Sequence, residues 1–109
     1  MTSLAHYIDA IHQRSAVIVG QQQRDLSYQD DGVTVTAIDT RYHFADGVVV
    51  QHQYEKDDVE DEQLCAECWS TYTVVSAPAD ITITPQRKAF TNHCQELFWL
   101  KTLRMQQRC

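Results

Sequence analysis

The chain is poor in the residues that break or bend a backbone: three glycines and two prolines among 109 residues. Gly20, Gly32 and Gly47 each stand where a turn or helix cap is expected, so no glycine-rich loop is left to cradle a phosphate. No apolar run approaches the roughly 20 residues that a membrane-spanning helix needs. The opening Met1-Thr2-Ser3-Leu4-Ala5-His6 has neither a basic start nor a signal-peptide core. A cytoplasmic location away from the membrane is therefore expected. Reduced thiols are the matching expectation for the four cysteines, Cys65, Cys68, Cys94 and Cys109.

Positive charge is scarce. Nine Lys and Arg stand against fifteen Asp and Glu, a net charge of −6. Residues 25–62 carry −9 and residues 85–109 carry +4. Direct nucleic-acid binding is not expected, because phosphate contacts need clustered cations over a broad surface. An acidic face suits solubility, attraction between the two halves of the chain, or a basic protein partner.

What is present is a hairpin pattern. Val33–Phe44 and Val48–Tyr54 are rich in β-branched and aromatic residues, and Asp46-Gly47 lies between them. A two-residue loop would pair His43 with Val50, Arg41 with His52 and Asp39 with Tyr54. Asp39, Arg41, His43, His52 and Tyr54 would then share one sheet face as a polar patch. Such a set is sufficient for acid–base chemistry or for holding an anion. A three-residue loop would instead put His52 and Tyr54 beside Tyr42 and Phe44, and the patch would dissolve.

Around the hairpin, Ser3 is a plausible N-cap for a helix whose apolar face is Leu4, Tyr7, Ile8 and Ile11. That helix ends near Arg14 or at Gly20. Gln21-Gln22-Gln23 reads as a connector, Arg24–Tyr28 as a strand, 55–63 as an acidic loop and Leu64–Val75 as a strand. Ile81-Thr82-Ile83 reads as a short strand. Thr84-Pro85 has the form of a helix start, Thr as cap and Pro at the first helical position. On that helix Phe90, Leu97, Phe98 and Leu100 share one side, while Trp99 and Leu103 fall opposite.

These elements predict a single α+β domain over 1–109. Its antiparallel sheet has four to five strands, with N-terminal and C-terminal helices packed on one face. The favoured function is a non-enzymatic interaction or regulatory module of adaptor, inhibitor or immunity type, able to form a homodimer. Its interaction residues are Trp99 and Leu103 with the acidic run Asp57, Asp58, Glu60, Asp61 and Glu62. No catalytic motif and no required cofactor are found. One alternative is a small enzyme or ligand binder using the hairpin patch. The other is a zinc-stabilised domain: Cys65-Ala66-Glu67-Cys68 has the spacing of half a zinc site, which His93 and Cys94 would have to complete.

Overall fold

In a computed structural model, residues 2–57 and 67–107 are described, without the side chains of Asp57, Glu67, His93 and 103–107. The chain is α+β. In order it forms β1 (Thr2–Ser3), α1 (Leu4–His12), β2 (Ile18–Asp25), β3 (Tyr28–Asp30), β4 (Val33–Phe44), β5 (Val49–Asp57), β6 (Glu67–Ser76), β7 (Ile83–Thr84), β8 (Arg87–Asn92) and α2 (His93–Gln107). The main sheet runs β2-β4-β5-β6-β8, every neighbour antiparallel, with β3 also paired to β4. One small parallel pair, β1 with β7, departs from the expected all-antiparallel pattern.

Helix α1 starts where its sequence says: Ala5 N–H donates to Ser3 Oγ over 3.2 Å. It ends early. Gln13 is the C-cap and Arg14 takes a left-handed φ of 51°, so Gly20 has no capping role. The β-branched run Val17-Ile18-Val19 disfavours another helical turn. The backbone edge of β4 offers partners instead, so Gln21, Gln22 and Gln23 become strand residues opposite Tyr42, Arg41 and Thr40. Between β2 and β3 the ladder is patched by a side chain, with Ala37 N–H donating to Ser27 Oγ over 3.0 Å.

The β4–β5 loop has three residues, Ala45-Asp46-Gly47, and not the two expected. Phe44 N–H donates to Val48 O over 2.9 Å and Gly47 N–H to Phe44 O over 3.0 Å. Gly47 has a φ of 94°, the left-handed position that this loop class reserves for glycine. Asp46 holds the loop shut. Its Oδ1 accepts from Val48 N–H over 3.0 Å and its Oδ2 accepts from the Tyr7 hydroxyl over 2.8 Å. Burial and the Asp46 contact push the Tyr7 phenol up to about 12, so it remains a donor at any ordinary pH.

Thr84-Pro85 does not open a helix. Residues 87–92 form the strand β8, in which Phe90 lies opposite Ser70 and is buried. The helix begins at His93 behind a cap built further on. Gln95 N–H donates to Asn92 Oδ1 over 2.8 Å, and Gln95 Oε1 accepts from Thr91 N–H over 3.0 Å, a reciprocal arrangement of the capping-box kind.

The core gathers Leu4, Tyr7 and Ile8 of α1 and Leu100 of α2 with Phe44, Val50, Tyr72 and Phe90 of the sheet and with Ile83. The Tyr7 ring meets Phe44 edge-on with centroids 4.9 Å apart. Each fully buried aliphatic side chain contributes about 1.5–3 kcal/mol relative to exposure, and this burial holds the helices down.

Candidate functional site

The β4–β5 register decides the fate of the hairpin residues. His43 lies opposite Val49, Arg41 opposite Gln51, Thr40 opposite His52, Asp39 opposite Gln53 and Ile38 opposite Tyr54. Direct partners share a face and side chains alternate along a strand. Asp39, Arg41 and His43 therefore stand on one face of the sheet, His52 and Tyr54 on the other. The continuous five-residue patch expected from a two-residue loop does not form, because one extra loop residue shifts the pairing by one.

Each half of that set acquires different neighbours. Asp39 is only 7% exposed. Gln51 Nε2 donates to its Oδ1 over 2.9 Å and to its Oδ2 over 3.0 Å, and Arg24 Nη2 reaches Oδ2 at 3.2 Å. This is an ion pair roofed by its own neighbours.

His52 belongs to a buried relay that the sequence did not announce. Its ring lies flat on Tyr72, with centroids 4.2 Å apart and planes 2° from parallel. Its Nε2 is 2.7 Å from Ser70 Oγ. The Tyr72 hydroxyl donates to Glu96 Oε1 over 2.6 Å, and His12 Nε2 meets the same oxygen at 2.7 Å. One carboxylate of α2 is thus tied to α1 and to β6. Glu96 is 4% exposed.

The electrostatics follow from this wiring. Burial alone would raise the Glu96 carboxyl, but the hydrogen bonds from His12 and Tyr72 and the nearby imidazoles outweigh it and leave it lowered. His12 is raised chiefly by its bond to Glu96, against the opposing effect of burial. Burial depresses His52 to about 4, so it is neutral at physiological pH. Tyr72 is raised by burial and by the Glu96 charge and stays a hydroxyl.

No known protein family, curated protein or solved structure matches this chain.

A carboxylate between a histidine and a tyrosine is a constellation of catalytic type. Here its hydrogen bonds are spent inside the fold. His12, His52, Ser70, Tyr72 and Glu96 line none of four cavities found among the described residues. The arrangement fastens helices to sheet. Its missed member is Glu96. Nothing in the local sequence marks it for burial, and only the approach of His12 and Tyr72, far away in sequence, makes that burial tolerable.

That burial also resets the face of α2. With Glu96 and Leu100 turned inward, Leu97 and Phe98 turn out, at 48% and 72% exposure. Trp99, expected on the outer side, packs on Phe90 with ring centroids 5.5 Å apart. Lys88 Nζ lies 5.6 Å from the Trp99 ring centre. The outward apolar pair is Leu97 and Phe98 in place of Trp99, and the Leu103 side chain lies outside the described residues.

Asp58, Glu60, Asp61, Glu62 and Cys65 also lie outside the described residues, as does the side chain of Asp57. Cys68 is buried, and burial pushes its thiol up, which weakens it as a metal ligand. Cys94 is disulfide-bonded, so the expectation of reduced thiols does not hold there and this sulfur is not available to complete a zinc site. Among the described residues no group of three or more His, Cys, Asp or Glu is placed to hold a metal. No helix among them is long and apolar enough to cross a membrane.

Proposed function

We propose that this protein is a non-enzymatic interaction module, an acidic adaptor, inhibitor or immunity-type protein. One observation carries the reading: a helix fastened from below by a buried carboxylate presents Phe98 and Leu97 to solvent. A large apolar side chain on a rigid support is the usual form of an interface anchor, because little conformational entropy is lost when a partner covers it. Both helices are assigned to one face of the sheet, supported by the Tyr7–Phe44 contact, the Tyr72–Glu96 bond and the single core they share. The acidic segment beside β5 supplies long-range attraction for a basic partner. The absence of an enzymatic role rests on the acid–base groups being spent on structure. A second copy of the chain is one partner that Phe98 suits.

The test uses the intact protein and Phe98→Asp. Sedimentation velocity reads self-association, and affinity capture with mass spectrometry reads other partners. The expected result is an assembly or a specific captured protein present for the parent and lost for Phe98→Asp, with melting temperature unchanged. Equal behaviour of parent and variant in both measurements overturns the reading.

A further inference from the structure

A cavity of about 530 Å³ opens where the end of α1 overhangs the edge strand β2. Its walls include Arg14, Gln21, Gln23 and Tyr42, over an apolar floor of Ile11 and Ile18. The backbone explains the convergence. Gln21 and Gln23 are two apart on β2 and so point the same way, and Gln21 lies directly opposite Tyr42 on β4. Arg14 supplies the cation of the lining. It holds a φ of 51°, unusual for a residue with a side chain, and its N–H donates to Ile11 O over 3.2 Å, the turn that ends α1. Its charge is near enough to Tyr42 to bear on that phenol.

The lining offers the Arg14 guanidinium, carboxamide and hydroxyl groups that can donate, and apolar surface, with no carboxylate, in a chain of net charge −6. The side chains of Arg14, Gln21 and Gln23 make no hydrogen bond or ion pair among the described residues. In the other polar cavities the carboxylates are already engaged: Asp46 by Tyr7, Asp39 by Gln51 and Arg24. This cavity alone of the four combines one cation, uncommitted carboxamides and a small apolar floor.

We propose that this groove binds a small organic anion. Its oxyanion head lies on the Arg14 guanidinium and accepts from Gln21 and Gln23, and its short aliphatic body rests on Ile11 and Ile18. The site is independent of the α2 surface and adds a ligand to the interaction reading.

The experiment is an amide NMR titration of the full chain at low ionic strength, with hexanoate, hexyl phosphate and hexanol as separate probes. Saturable shifts at the Gln21 and Gln23 side-chain amides are expected with hexanoate, and hexanol gives none. The phosphate arm identifies the head group: whichever anion binds more tightly, saturation at these residues supports an oxyanion site. Arg14→Gly suits the left-handed φ and keeps the fold, so it should weaken binding about tenfold or more with melting temperature retained. Arg14→Gln provides the same test should the glycine variant misfold. Absence of saturation with both anions, wild-type affinity in a folded Arg14 variant, or hexanol binding as well as hexanoate each overturns the proposal.

Discussion

Glu96 and Asp39 are both carboxylates withdrawn almost completely from water, and they lie in contrasting settings. Glu96 sits among elements distant in sequence. Its partners His12 and Tyr72 come from α1 and β6, and its helix closes over them. Asp39 sits among its strand neighbours, roofed by Gln51 and by Arg24, whose own side chain is 71% exposed. The same degree of burial thus has two causes. Under Glu96, removing the carboxylate strands a buried hydroxyl and a half-buried imidazole. Over Asp39, water is one side chain away and can replace whatever is removed.

The largest difference should appear on truncation. Glu96→Ala is expected to cost about 3–4 kcal/mol in urea unfolding, because it leaves the Tyr72 hydroxyl unsatisfied and releases the tie between α1 and α2. A cost under about 1 kcal/mol would mean that water already reaches this site, and the contrast with Asp39 would vanish.

The pH dependence sharpens the same contrast, since burial beside Glu96 holds the His52 imidazole neutral. His52 titrates near 4 when folded and near 6.5 when unfolded. Between these values the unfolded chain binds a proton that the folded chain refuses, so stability falls as pH drops through that window, by about 3 kcal/mol in all. Glu96, lowered in the fold, adds a loss as pH falls below the ordinary glutamate range. His12, raised in the fold, acts oppositely: its contribution is complete in acid and disappears as pH rises through its raised value. Unfolding measured from pH 4 to 9 should give a maximum near neutrality. His52→Gln should flatten the acid limb, and an unchanged limb would place the titration elsewhere.

The smallest effect belongs to the open face. Arg24→Ala should change stability by about 0.5 kcal/mol or less, because Gln51 still holds Asp39 and the lost guanidinium is largely solvated. A loss approaching that of Glu96→Ala would show that the roof over Asp39 is as closed as the helix-covered core.

Much of the α+β architecture was legible because it follows from local rules. Ser3 caps α1, the alternation of β4 and β5 marks a hairpin, and Leu4, Tyr7 and Ile8 fall on one stripe. The errors share a cause. Gln21–Gln23 carry no strand signal of their own, yet the edge of β4 recruits them. Thr84-Pro85 resembles a helix start, yet Phe90 gains more from lying in the sheet against the core. The candidate site was the least legible part. Its geometry hangs on one loop residue, and the three-residue loop that forms is joined to α1 by the Tyr7–Asp46 contact, between positions 39 apart.

The sequence by itself determined the class of this protein: few breakers, two long alternating runs and an amphipathic N-terminal helix dictate an α+β fold with a mostly antiparallel sheet. Tertiary structure alone decided which charges are inside. A carboxylate can be buried only where its partners arrive, and the partners of Glu96 lie 84 and 24 residues away. From that one placement follow the face that α2 turns inward and the exposure of Phe98.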